Sequence, residues 1–331
     1  MLKLDEKKQI ESVRGALALR NRIEHIVDEV CDKGFRNICW LGIGGTWASC
    51  LQAVCHMKER TESEVFSMNA AEYNTTGDRR IGDGTFMVIS SVTGSTPEVV
   101  DAVKKAQEAG AYVLGFIDTE GSPLAELVDC RITYPANEQL KFFMVADRFL
   151  KNEGVMPEYE DMYVQFDEYL PEALVEAEKS ADGFGEEFAR AHMSDALHYY
   201  VGAGTLYGAT YSYGMCYMEE MHWLRTKSIH SAEFFHGMLE IIDEDTPVTL
   251  FIGEDSQRSL GERVKRFLED HSKNYTVIDT RDYELPGIDD RYRYAVSHLV
   301  MHAVTNRIDA HLEELTGHDM TVRKFYRKVD Y

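Results

Sequence analysis

Ile38-Cys-Trp-Leu41 followed by Gly42-Ile-Gly44-Gly45-Thr46-Trp-Ala-Ser49 is the stretch on which the fold turns. Four apolar residues bounded by glycine read as a buried strand, and the polar turn after them gives way to a helical pattern from 47 to about 59. The alternation recurs downstream. Candidate strands lie near Glu64–Met68, Thr85–Ser91 and Tyr112–Ile117, with a helix over Pro97–Ala109 whose proline suits a first turn. Short apolar strands alternating with helices predict a parallel sheet covered on both faces. Upstream, the helical spacing of Ile10, Val13, Leu17, Ile23 and Val27 predicts one helix over 5–33, stopped by Gly34.

After a mainly helical region over 137–195, relaxed only at Ala181-Asp-Gly-Phe-Gly185, the rhythm restarts. A strand over Leu197–Val201 ends in Gly202-Ala-Gly204; a long helix follows, then strands near Val248–Ile252 and Tyr275–Ile278 around a helix at 257–270. The chain therefore reads as α/β, two tandem doubly wound lobes. Residues 1–180 form the first, with its N-terminal and connecting helices, and residues 181–331 form the second, with a C-terminal tail.

Composition narrows the function. With 57 acidic against 35 basic side chains the net charge is −22, the opposite of the cationic surface that nucleic-acid binding requires. No apolar run is long enough to cross a bilayer, and the first residues lack a signal peptide's apolar centre, so a cytoplasmic protein without a membrane partner is expected. The six cysteines show no C-x-x-C pairing, which argues for reduced thiols over a metal cluster or a disulfide framework.

Two polar turns of the first lobe stand where strands end and helices begin, the place where open α/β sheets bind ligands. The first contains Gly45 and Thr46; the second, Ser90-Ser91-Val-Thr93-Gly94-Ser95-Thr96-Pro97-Glu98, offers Ser91, Thr93, Ser95 and Thr96. Glycine backbone, helix starts and uncharged hydroxyls suit a phosphate monoester; the competing reading is that the hydroxyls cap the two helices. A dinucleotide fits poorly, because G-x-G-x-x-G is incomplete and the strand near 64–68 ends in Met68-Asn69 rather than an acid.

In the second lobe, Thr205–Met218 holds no charged residue, so its helix should be buried nearly all round; Glu219 and Glu220 then arrive together. Glu220 lines up with Tyr213, Cys216 and Tyr217, an apolar stripe that would favour acid–base work, whereas an ion pair with Arg225 or Lys227 is the structural alternative. Next come His230, Glu233 and His236, whose spacing is not the H-E-x-x-H of a zinc site, so acid–base chemistry is favoured over metal.

Taken together, the two α/β lobes, the G-x-G-G-T-x-x-S and S-x-T-G-S-T-P-E turns and the H-S-x-E-F-x-H-G segment resemble the sugar isomerase (SIS) domain proteins. The resemblance implies that Gly45, Thr46, Ser91, Thr93, Ser95 and Thr96 hold a sugar 6-phosphate. It also implies that the catalytic glutamate stands sixteen residues before His236, which selects Glu220. Around Met218–Trp223, Ile229–Gly237 and the tail, the chain resembles most the fructosamine 6-phosphate deglycase branch, with the fructoseasparagine enzymes nearest and the fructoselysine enzyme further off. That branch implies cleavage of an Amadori amino acid 6-phosphate to glucose 6-phosphate and the free amino acid by enolisation and imine hydrolysis. Glu220 and His236 would then be catalytic, with His230, Glu233 and Tyr217 in support, no metal or other cofactor, and a homodimer with sites at its interface. The alternatives are a phosphosugar aldose–ketose or amino-sugar isomerase, and a non-catalytic sugar-phosphate sensor.

Overall fold

The computed structural model describes residues 1–330. The chain divides into two compact units, Lys7–Pro171 and a second that joins Met1–Glu6 to Glu172 onward. In the first, five parallel strands, β1 (Asn37–Gly42), β2 (Glu64–Asn69), β3 (Thr85–Ser91), β4 (Tyr112–Ile117) and β5 (Cys130–Ile132), lie in the order β2-β1-β3-β4-β5. All six residues of β1 and all seven of β3 are buried, as strands covered by helices on both faces must be. One face packs Trp40, Phe86, Phe142 and Phe149 together; the other carries Leu41, Met87, Ile89, Val103 and Leu124. The chain leaves β1 toward β2 and leaves β3 toward β4, so the strand order reverses between β1 and β3 and the two polar turns flank that switch point.

The second unit repeats the plan with β6 (His198–Gly202), β7 (Thr226–His230), β8 (Val248–Ile252) and β9 (Tyr275–Asp279), all parallel in the order β7-β6-β8-β9. Its switch point lies between β6 and β8. Arg307 is buried and ties the unit together: it donates to Asp182 at 2.6 Å and to the Leu2 carbonyl at 2.8 Å, which is how the first residues of the chain come to belong here.

Three expectations change. The N-terminal helix is two helices, Glu6–Leu17 and Arg20–Lys33. The glycines at 183 and 185 do not relax the chain, because helix Tyr159–Ser180 passes through Ala181 into helix Asp182–His192. Gly185 serves close packing there: a Cβ at that position would lie 2.8 Å from the Arg307 backbone. Strands β5 and β7 were not anticipated. Both are sheet edges, and an edge strand such as Thr226-Lys-Ser-Ile-His230 needs no apolar run. Among the described residues the cysteines are all free and no helix is long and apolar enough to cross a membrane.

Arg258 is committed to the fold. It grips Asp279 with two hydrogen bonds of 2.9 and 2.6 Å. Burial alone would push the Asp279 carboxyl up, but Arg258 and the Arg281 amide hold it below the ordinary 3.8. A carboxylate with a depressed folded value stabilises fully above its unfolded value and loses that contribution as pH falls through the folded one. Asp279→Asn should therefore cost about 2 kcal/mol at pH 7, shrinking below pH 4. Urea unfolding at the two pH values checks it, and a deficit that persists in acid would contradict it.

Candidate functional site

The first-lobe turn is shaped by two glycines. Gly42 lies against the following helix, where a Cβ would stand 2.8 Å from the Thr46 and Trp47 backbone, and Gly44 takes φ 59°, ψ −130°, a conformation open to glycine. Helix Gly45–Lys58 begins at once, and a helix start leaves its first N–H groups without intrahelical acceptors. In the second turn, Gly94 has φ 60°, and a Cβ there would collide with Ser122 Oγ. The Gly94 N–H donates to Ser91 Oγ at 3.0 Å, and Ser95 Oγ donates to Thr93 Oγ1 at 3.2 Å. Neither helix start has a side-chain cap bond, so the capping alternative for these hydroxyls does not describe the turns. Ser91 and Thr93 both accept hydrogen bonds within this turn. Thr46 differs, since its hydroxyl donates to Glu138 at 2.8 Å.

The acid–base candidates stand on the second lobe. Helix Thr205–Ser212 continues as a π-helix over Tyr213–Glu219, a widening that sequence periodicity does not reveal. It is pinned by buried Asp309, which accepts from Tyr213 at 3.2 Å and pairs with His222 at 3.1 Å; Gly214 allows the close approach of Ser228 from β7. The two adjacent glutamates part company here. Glu219 accepts from the Thr226 N–H and hydroxyl at 3.2 and 3.0 Å, a structural bond. Glu220 is not on a buried stripe: its side chain is 34% exposed, and Arg323 from the tail donates to its Oε1 at 2.7 Å. Neither Arg225 nor Lys227 bonds to it among the described residues. Tyr217 is half-buried against Tyr213 and His302.

The tail is fastened around the same few residues. His318 donates to the Met221 carbonyl at 2.9 Å and its ring packs on Trp223 at 4.1 Å, while Lys324 lies 4.0 Å over the same indole. Trp223 itself has φ 59°, a strained value for a bulky residue.

His236 closes a single 3-10 turn, Phe234–His236, anchored by buried Phe234; the imidazole is exposed, as is Glu233. The Ser231 N–H donates to the Gly202 carbonyl at 2.8 Å, which ties the segment to the second-lobe turn. His230 packs edge-on to Tyr207, and its Nδ1 accepts from the Ala232 N–H at 3.1 Å. No hydrogen bond joins Glu220 to His236 among the described residues. The one potential metal cluster among them is elsewhere: His192 and His198 each lie 2.8 Å from Asp195 Oδ2, and His198 also bonds Thr249 at 2.7 Å. Each pairing is a hydrogen-bond distance, so the cluster closes on itself as a polar network.

Residues 35–148 match the SIS domain. All six phosphate-site candidates, Gly45 to Thr96, fall inside the SIS match, while Glu220 and His236 lie beyond it. The fructosamine deglycase FrlB of Bacillus subtilis is 28% identical over 81% of this chain and 84% of its own length. The fructoselysine 6-phosphate deglycase of Escherichia coli is 24% identical over 78% and 77%. Among solved structures, a Bacillus subtilis protein provisionally described as a phosphosugar isomerase superposes with a TM-score of 0.88 at 26% identity, covering 96% of this chain and 99% of that one. That superposition takes in both sheets of this α/β fold.

Sequence reasoning did not find the contacts of Glu138 with Thr46, of Arg323 with Glu220 or of Asp255 with Thr205. Each joins residues 50 or more positions apart, a distance that no local pattern encodes.

If Ser91 donates to phosphate, Ser91→Ala should raise KM for a sugar 6-phosphate about tenfold and leave kcat within twofold. Steady-state kinetics decides this, and an unchanged KM would confine the hydroxyl to its bond with Gly94.

Proposed function

We propose that this protein is a fructosamine 6-phosphate deglycase, which converts an Amadori amino acid 6-phosphate and water into glucose 6-phosphate and the free amino acid. The observation that carries the reading is the separation of the two glutamates: Glu219 is spent on Thr226, whereas Glu220 is held by Arg323 with its carboxylate partly open to solvent. Deglycases among the relatives and a SIS domain with phosphate-suited turns support it.

Gly45, Thr46, Ser91, Thr93, Ser95 and Thr96 would grip the phosphate through helix-start N–H groups and hydroxyls, with Thr46 contributing its N–H because its hydroxyl is given to Glu138. A base then removes a proton from C1 of the sugar. The electron pair of that C–H bond forms C1=C2, and O2 gains a proton, giving an enaminol. A proton returns to C2 while the nitrogen lone pair forms C1=N. Water adds to this imine at C1, the C–N bond breaks and the amine leaves with a proton. One carboxylate and one imidazole meet these demands, and the route calls for no metal or organic cofactor.

Arg323 would orient Glu220 as a base. Arg323→Gln should lower kcat about tenfold with KM within twofold, and Arg323→Lys should recover part of the loss; a change confined to KM would place Arg323 in substrate binding instead. The function itself is tested by incubating the protein with a panel of fructosamine 6-phosphates and measuring glucose 6-phosphate and free amine. Equimolar release supports the reading. Ketose formed from aldose phosphate without any amine release would favour an isomerase, and tight phosphosugar binding without turnover a sensor.

A further inference from the structure

The turns that begin the two lobes are built alike. Gly44 (φ 59°, ψ −130°) and Gly204 (φ 63°, ψ −141°) share one conformation, and each stands two residues beyond a strand-ending glycine, Gly42 or Gly202. The next residue, Gly45 or Thr205, opens the helix that follows.

In the second lobe this cradle is already filled. Asp255 Oδ2 lies 2.7 Å from the Thr205 amide nitrogen and 2.8 Å from its hydroxyl; Oδ1 accepts from the Gln257 N–H at 2.9 Å. The Gln257 side chain closes the ring by accepting from the Gly204 N–H at 3.3 Å. The fit is tight enough that a Cβ on residue 204 would stand 2.2 Å from the carboxylate. Asp255 is the third residue after β8; the third residue after β3, at the corresponding switch-point loop of the first lobe, is Gly94, which has no side chain to place there.

We infer that Asp255 is an internal oxyanion, occupying in the second lobe the position that the first lobe leaves to a ligand's phosphate. The second cradle is thereby closed, and the chain has one phosphate site rather than two. A carboxylate is the side-chain group that best imitates phosphate toward a helix start, since it offers negative charge and two acceptor oxygens to the same N–H groups. The inference shares only the phosphate reading of the first lobe with the proposed activity and requires no turnover.

The test uses the full chain and inorganic phosphate as probe. Asp255→Gly, which copies Gly94, should lower the melting temperature in chloride buffer by roughly 3–8 °C, as loss of a charge-assisted anchor does in a lobe of this size. Phosphate at matched ionic strength should restore more of that loss than it adds to the wild type, and equilibrium dialysis should count one phosphate per wild-type chain and two per variant chain. If Asp255→Gly does not fold, Asp255→Ser, which keeps a hydroxyl in the turn, gives the same count. Two phosphates on the wild type, or equal counts for wild type and variant, would overturn the inference. A count of none on the wild type and one on the variant would uphold it while refuting the phosphate site of the first lobe.

Discussion

Glu220→Gln is expected to lower turnover of a fructosamine 6-phosphate about a thousandfold, the size of effect that follows when a positioned base is lost. The amide is nearly isosteric and its oxygen still accepts from Arg323, so the tail stays fastened and the fold is kept; what disappears is the ability to take the C1 proton. Glu219→Gln is the paired control. Its oxygen continues to accept from the Thr226 N–H and hydroxyl, and activity stays within about threefold of wild type. Residual activity above a tenth in the Glu220 variant, or equal damage from the Glu219 variant, would refute the assignment. Melting temperature and phosphate binding, both unchanged, separate loss of chemistry from loss of structure.

His236→Asn is expected to reduce kcat a hundredfold or more with stability unchanged within about 0.5 kcal/mol. The side chain is exposed at the end of a one-turn helix that Phe234 anchors, so the core does not depend on it. A buried histidine, such as His198 beneath Phe188 and Tyr200, would show the reverse pattern, with stability falling first. The asparagine keeps a polar group of similar reach and removes the titrating ring. Activity near wild type would exclude proton transfer by His236, and a large loss of stability would make its role structural.

Much of the fold was legible because it is written locally. Ile38–Leu41, Thr85–Ser91 and Val248–Ile252 are apolar runs punctuated by glycine, and strands buried on both faces need nothing subtler. The edges β5 and β7 escaped notice since half-covered strands tolerate Arg, Thr, Lys and Ser. The candidate site divides in the same way. Turn residues 45, 46 and 91–96 announce themselves by glycine and hydroxyl content next to strand ends. The setting of Glu220 did not: it follows a π-helix and is part-exposed, and its partner is Arg323, 103 residues later, rather than Arg225 or Lys227 close by. The charge of −22 also takes on meaning at the level of the turns. A phosphate held by helix starts and hydroxyls needs no basic surface, and one such start in this chain already donates its N–H to an acidic side chain, Asp255.

The most direct measurement follows the hydrogens at C1. A fructosamine 6-phosphate carrying two deuterium atoms at C1 is converted to completion and the hexose phosphate is examined by NMR and mass spectrometry. Enolisation removes one of them, so the predicted product is glucose 6-phosphate with a single deuterium left at C1, accompanied by one equivalent of amine. A hexose phosphate that keeps both deuterium atoms at C1, released by cleavage of the C–N bond without enolisation, would contradict the account.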